Sequence, residues 1–383
     1  MSVKGVNKEN IRKYALNEFL TEYKILNADN KYRPVAVGRY GIRKRESIYS
    51  KELAKDYSKN KLIYKNTLTV GMGSKQIDIG ILTEDEVFAV SPAYHTYEIQ
   101  GIRCKYLEYC LRSKNIEMFS LYAKRGSRQG KSIDLKRWLT YKIPVYSEED
   151  QIVIEDNLNK INVVIELRRK QLELLDELVR ARFVEMFGDV QDAKKRGGQQ
   201  LKDICNTVAG GTPSTKHVEY YNGTIPWIST VSLGPNYIDG TTAKAFITQE
   251  AVDSSSTKII PSGSILFGNR VGVGKSSINQ VEMCTNQDIV AIIDLDVSKY
   301  NKLYIKYVLD TYQPYFDSIK KGATILGISS DDLKNIYVPD ASLYEQNRFE
   351  KFVKQIDKSR SRIQKSLEAS QELFDSLMQE YFG

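Results

Sequence analysis

Histidine and cysteine are scarce: the 383 residues hold two histidines, His95 and His217, and four cysteines, Cys104, Cys110, Cys205 and Cys284, with no CxxC spacing. This argues against a zinc cluster and against a disulfide framework, and leaves reduced, mostly buried thiols as the expectation. No run of about 18 apolar residues occurs, so no membrane span is expected. Residues 1–10 lack an apolar signal core, which argues against secretion. Length and composition fit a soluble, cytoplasmic protein of two or three domains.

Positive charge is abundant but unevenly placed. Of the net +8, residues 1–143 carry 28 basic against 15 acidic groups (+13), whereas 144–200, 201–335 and 336–383 carry −3, −1 and −1. The surplus concentrates in two stretches. One, 39–75, holds Arg39, Tyr40, Arg43, Lys44, Arg45 and Lys75; the other, 124–142, holds Arg125, Arg128 and Lys131. Tyrosines and glycines are interleaved with these cations, as suits loops that approach a phosphate backbone and reach base edges. A solvated basic face without a ligand is the alternative reading.

A segment occurs twice. Residues 144–188 and 339–383 align without a gap at an offset of 195, matching Ser147 with Ser342, Gln151 with Gln346, Glu155 with Glu350, Ile161 with Ile356, Leu172 with Leu367 and Phe187-Gly188 with Phe382-Gly383. So long a period is a domain duplication rather than a solenoid repeat. Both copies carry heptad spacing. Leu158, Ile161, Ile165, Leu172, Leu175 and Val179 mark the first, and Val353, Ile356, Ile363, Leu367, Phe374 and Leu377 the second. Each predicts a helix of roughly 35–38 residues, about 55 Å long. Neither buries its stripe alone, so pairing with each other as an antiparallel coiled coil is expected, with Arg168, Arg182 and Arg360 as breaks in the apolar rows.

The second globular segment alternates short apolar runs (258–260, 264–267, 289–293) with turns, then reads as helices over 300–312 and 315–321. The first shows a related order: strands 62–70, 77–82 and 87–90, then helices 105–113 and 116–122. Three motifs fall short of chemistry. Gly268 to Ser276 ends in Gly-Lys-Ser but has one residue too many for a P-loop, and no helical pattern follows. It reads as a flexible loop presenting Asn269, Arg270 and Lys275. Ser91-Pro92-Ala93-Tyr94 is one residue from the Ser-Pro-Pro-Tyr of adenine-N6 methyltransferases but lacks a cofactor loop upstream. Gly210-Gly211-Thr212-Pro213-Ser214-Thr215-Lys216 is a polar turn able to bind phosphate.

In combination, the duplicated helices, Gly211-Thr212-Pro213-Ser214, Ile225-Pro226-Trp227-Ile228, the 260–266 run Ile-Pro-Ser-Gly-Ser-Ile-Leu, the 270–275 glycine loop and Thr285-Asn286-Gln287 resemble the specificity subunit of a Type I restriction-modification system. The resemblance covers the chain from about residue 32. It implies an α+β fold: two α/β target-recognition domains (1–143 and 198–338) separated by two long helices (144–190 and 339–383) paired as an antiparallel coiled coil with pseudo-two-fold symmetry. Residues 1–30 read as an added helix, on Ile11, Leu16, Phe19, Leu20 and Tyr23. The family further implies a non-catalytic chain that binds double-stranded DNA at a split target, each domain reading one half. Its helices would dock two methyltransferase subunits and, through them, restriction subunits. S-adenosylmethionine and ATP/Mg would belong to those partners. Expected DNA contacts are the cations named above and Tyr40, with Thr212, Ser214, Thr215, Lys216, Asn269, Arg270 and Lys275. A stand-alone methyltransferase or endonuclease and a purely structural scaffold are the competing readings.

Overall fold

The computed structural model describes residues 6, 11–38, 41–48, 54, 56–125, 131–322 and 326–383. The chain divides into two compact units. Met1–Arg169 joins Lys365–Gly383 in the first, and Lys170–Gln364 forms the second.

The largest sheet of the first unit among the described residues has four antiparallel strands in the order Leu20–Tyr23, His95–Ile99, Thr67–Met72, Ile77–Leu82. That of the second has the same four places, filled by Asn206–Ala209, Ile289–Ile293, Ile265–Gly268 and Ser276–Asn279, and adds a parallel edge strand, Tyr237–Ile238. In both, the strand next to the first edge is followed by a ten-residue helix, Cys104–Ser113 in one and Lys302–Thr311 in the other, and by a shorter helix, Asn115–Tyr122 or Gln313–Ile319. The two cores are apolar and separate, one built round Leu68, Tyr97, Tyr106 and Trp138, the other round Phe267, Ile292, Tyr304 and Phe316.

The duplicated segments are helices of 40 residues each, Glu148–Phe187 and Leu343–Phe382, about 60 Å long at 1.5 Å per residue. In the first unit Ile154 and Leu158, early in the first helix, share a core with Phe374, Leu377 and Tyr381, late in the second. The second unit combines late residues of the first helix, Val179, Phe183 and Phe187, with early residues of the second, Phe349, Val353 and Ile356. The opposed order makes the pair antiparallel. Every heptad position named above is buried or half-buried, including Ile165, Leu172, Leu175, Ile363 and Leu367. Arg360 leaves the apolar row to pair with Asp176 across the seam.

Each long helix ends by closing a globular core. Phe382 packs edge-on against Tyr106, ring centroids 5.4 Å apart, and Phe187 against Tyr304 at 4.7 Å. The two tyrosines are themselves equivalent: Tyr106 donates to the Pro144 carbonyl at 2.8 Å, Tyr304 to that of Pro339 at 2.7 Å.

The expected helix over residues 1–30 is not formed among the described residues. Strands Arg12–Ala15 and Leu20–Tyr23 flank a single 3-10 turn, Leu16–Glu18. Leu16, Leu20 and Tyr23 have helical spacing, but strand Lys142–Val145 pairs with the first segment and His95–Ile99 with the second. Ladders of tertiary origin thus override local periodicity. These residues correspond to Gln199–Gln200, the turn Leu201–Asp203 and Asn206–Ala209, so the duplication reaches back to about residue 12. The single strand expected over 62–70 is two, Lys61–Ile63 and Thr67–Met72, broken where Asn66 takes φ 64°. Of 258–260 only Ile260 pairs, with Met283.

Candidate nucleic-acid interface

Strand register brings three loops of the second unit to one end of its sheet. Ala209 lies opposite Val290, and Gly268 opposite Ile289. The turn 210–216, the glycine loop 269–275 and the segment 285–288 therefore emerge together. They are tied to one another. The Thr212 hydroxyl bonds the Gln287 side chain, the Gly211 amide donates to the Thr285 carbonyl at 2.8 Å, and that of Asn269 to the Asp288 carbonyl at 2.9 Å. Buried Trp227 holds the turn from beneath, its indole N–H donating to the Gly211 carbonyl at 3.0 Å. A fourth segment joins at Asn269, whose carbonyl accepts from Ile328 at 2.8 Å, while Lys321 and Gly327 pair as a short bridge.

These loops are rigid where they meet the sheet and polar where they face water. Thr212, Ser214, Thr215, Lys216, Arg270 and Lys275 are exposed, and no ion-pair partner of Lys216, Arg270 or Lys275 occurs among the described residues. Asn269 is different. It is buried, and its side-chain oxygen, like those of Thr285 and Asn286, has no protein partner. It anchors the loop from below. Gly272 and Gly274 take φ 68° and 90°, and a Cβ at Gly274 would overlap Gln313, whose amide donates to the Val273 carbonyl at 3.0 Å. After Lys275 the chain continues as strand Ser276–Asn279, so Gly-Lys-Ser opens no helix and builds no P-loop. Gln287 and Lys321, both exposed, belong to the cluster and were not among the sequence expectations; the polar Thr-Asn-Gln run was the signal for the first.

The first unit has the same arrangement. Tyr23 lies opposite Thr96 and Val70 opposite His95, which gathers loops 24–33, 73–76 and 91–94 at one end. Lys75, exposed, stands in the hairpin that corresponds to the 269–275 loop. The hairpin of Ala123–Arg125 with Lys131–Ile133 packs beside strand Thr67–Met72 and carries Arg125 and Lys131 in its strands; Arg128 lies outside the described residues, as do Arg39 and Tyr40. Ser91-Pro92-Ala93-Tyr94 is architecture. The Tyr94 ring covers Gly71, its hydroxyl donates to the Val37 carbonyl at 2.9 Å, and its own carbonyl accepts from the Lys61 ammonium. Burial holds the Lys61 pKa below its ordinary value.

Arg43 and Lys44 belong to strand Gly41–Lys44 and Arg45 to the turn after it, rather than to loops 24–33, 73–76 or 91–94. Lys44 lies 3.6 Å from Glu86 and over the Phe88 ring, and Arg45 covers Tyr57. Burial raises the thiols of Cys205 to about 12 and Cys284 to about 11, which leaves them protonated and unreactive. No cluster of three or more His, Cys, Asp or Glu able to hold a metal occurs among the described residues, and no helix there is long and apolar enough to cross a membrane.

Fold and loops together define a duplicated α+β protein built on a coiled coil, with one polar loop cluster per repeat. Residues 198–371 match the family model of the Type I restriction modification DNA specificity domain. The specificity subunit of type I restriction enzyme MjaIX of Methanocaldococcus jannaschii is 35% identical over 153 residues, 39% of this chain and 35% of that protein. The EcoR124I/EcoR124II specificity subunit of Escherichia coli is 31% identical over 183 residues, 45% of this chain and 44% of that protein. The matched stretches thus span less than half the length of these two relatives. Two solved structures share the fold at 15% identity. A chain from a study of complex assembly and conformational transition of the type I R-M system has TM-score 0.59, covering 98% of both chains; the type I S subunit from M. genitalium has 0.53, covering 100% of this chain and 98% of that one. Family model and relatives thus agree in likeness to the specificity subunits of type I restriction-modification systems, and residues 198–371 carry that family's DNA specificity domain.

Proposed function

We propose that this chain is the DNA sequence-recognition subunit of a Type I restriction-modification complex, working in the cytoplasm and non-catalytic by itself. Each unit reads one half of a bipartite target. The long helices dock two methyltransferase subunits, which recruit restriction subunits; S-adenosylmethionine and ATP/Mg act on those partners. The observation that carries this reading is the recurrence, in both repeats, of polar loops with exposed cations at the same end of the equivalent sheet. Phosphate contacts from Lys and Arg supply affinity, and Arg, Gln, Ser and Thr side chains at base edges supply selectivity. The cations Arg39, Arg43, Lys44, Arg45, Arg125, Arg128 and Lys131 belong to the affinity component.

Co-expression with a methyltransferase subunit, followed by sequencing of modified bases, tests this. The expected product is methylation at one interrupted sequence. Titration of the isolated chain with S-adenosylmethionine should show no binding; saturable binding would favour a stand-alone modifying enzyme.

A further inference from the structure

We propose that loop 24–33 is a DNA-contacting loop of the first unit, and that Lys24 and Lys31 bind phosphates of the half-site read by that unit. The inference rests on the proposed function and assigns residues that neither charge clustering nor the family motifs mark. The argument is topological. Strand Leu20–Tyr23 occupies the sheet place of Asn206–Ala209, so loop 24–33 leaves the sheet where the turn 210–216 leaves it in the second unit. It carries no Gly-Thr-Pro-Ser, and its construction differs.

Loop 24–33 is built on Asn27, which is 2% exposed. The Asn27 side-chain amide donates to the Tyr32 carbonyl at 3.0 Å and the Tyr57 carbonyl at 3.3 Å, and its oxygen accepts from the Tyr32 amide at 3.1 Å. Its backbone amide donates to the Asn60 carbonyl at 2.9 Å. Asn30 turns the chain at φ 51° and accepts from the Tyr57 amide at 2.9 Å. The other edge is stitched to strand Lys61–Ile63 by the Leu62 amide on the Ile25 carbonyl at 2.8 Å. So many fixed bonds hold an exposed loop in one conformation. It presents Lys24, Asp29 and Lys31 to water beside the exposed apolar side chains of Ile25 and Leu26, and neither lysine has an ion-pair partner among the described residues. Arg33, by contrast, is paired with Glu46 at 2.8 Å. Preorganised backbone with ammonium groups outside these ion pairs, that of Lys31 lying 5.5 Å over the Tyr32 ring, suits phosphate contact, because little ordering is left to be done on binding.

The test uses the full chain assembled with its methyltransferase partner and a DNA duplex carrying the methylated target. The Lys24→Ala/Lys31→Ala variant should bind more weakly, with a log–log salt slope shallower by roughly 1.8, about 0.9 per phosphate contact. Lys13→Ala/Lys142→Ala removes the same charge from exposed positions on the strand pair Arg12–Ala15 and Lys142–Val145, outside the loop cluster, and should leave the slope within error of the parent. Equal slopes for parent and loop variant, or equal losses in both variants, would overturn the assignment. A parent complex that shows no preference for its target would instead overturn the proposed function, so the two failures are distinguishable.

Discussion

Gln151 and Gln346, 195 positions apart, make the same clasp. Gln151 accepts from the Arg103 amide at 3.2 Å and donates to the Tyr146 carbonyl at 2.9 Å; Gln346 accepts from the Asn301 amide at 2.8 Å and donates to the Ala341 carbonyl at 2.9 Å. Each thereby ties the first turn of a long helix to the start of a domain helix. Glu155 and Glu350 repeat the theme one turn on, accepting from Arg103 and Tyr106 in one unit and from Asn301 in the other.

Removing a clasp leaves buried donors and acceptors unpaired. Gln346 is fully buried, so Gln346→Ala should destabilise the second unit by about 1–3 kcal/mol. Urea unfolding would register this as a lower midpoint of the transition that includes that unit. Gln346→Glu at neutral pH should be worse than Ala, because it buries a charge beside two carbonyls.

Alkaline pH should unfold the protein through its tyrosines. Burial raises the phenols of Tyr109 and Tyr146 to about 12 from an ordinary 10.0. Both hydroxyls donate in the folded state, Tyr109 to Asn159 at 2.6 Å and Tyr146 to the Tyr381 carbonyl at 3.0 Å. Between about pH 10 and 12 the folded state holds protons that the unfolded state has lost. Stability from these groups is therefore complete below about pH 10 and falls as pH rises toward 12. Urea midpoints measured from pH 8 upward should stay level and then drop, and tyrosinate absorbance should lag that of the unfolded chain.

Arg270→Ala should relax base discrimination at one position of the target by roughly 1–3 kcal/mol if its guanidinium is bidentate to guanine. Its place on the exposed lip of the glycine loop, beside Gly327, supports that role. Competition binding against single-base variants of the target is the measurement; uniform weakening on all sequences would make it a phosphate contact.

A fragment ending at Gly188 should dimerise. It keeps Tyr106 but loses Phe374, Leu377, Tyr381 and Phe382 from the first core, while Val179, Met186 and Phe187 stand at the repeat positions of Phe374, Tyr381 and Phe382 in a second copy. Antiparallel pairing of Leu158 to Met186 with itself restores the burial except at Leu377, whose repeat position holds Arg182. With the methyltransferase subunit, such a dimer should modify an interrupted palindrome made of one half-site and its inverted repeat. Sedimentation and sequencing of modified bases check both statements; a monomer, or a direct-repeat site, would contradict them.

Much of this was legible because helix periodicity and the repeat are local or strictly collinear signals. Gln151 and Gln346 stand out in the alignment at offset 195, the heptad rows are the rows that face inward, and strands Ile77–Leu82 and Ile289–Ile293 are rich in isoleucine. Residues 12–23 were misread because four-residue spacing of Leu16 and Leu20 looks helical until strands from 142–145 and 95–99 supply the ladder. The loop clusters were legible only in part. Their members come from separate strands, and register alone places 24–33 next to 91–94 or 210–216 next to 285–288. Charge clustering marks Arg43–Lys44–Arg45, where Lys44 meets Glu86 and Arg45 covers Tyr57, and does not mark Lys24 and Lys31.

Phe382, seated on Tyr106, also sets an order of events. The first unit draws on residues that follow the whole of the second along the chain. As the polypeptide emerges during synthesis, the first sheet and its helices assemble around a hydrophobic gap that stays open until the second has been made. An early half left waiting in this way offers exposed apolar surface to chaperones or to another nascent copy. The contacts that finish it are among the most distant in sequence, and closing them should be the slow step of folding.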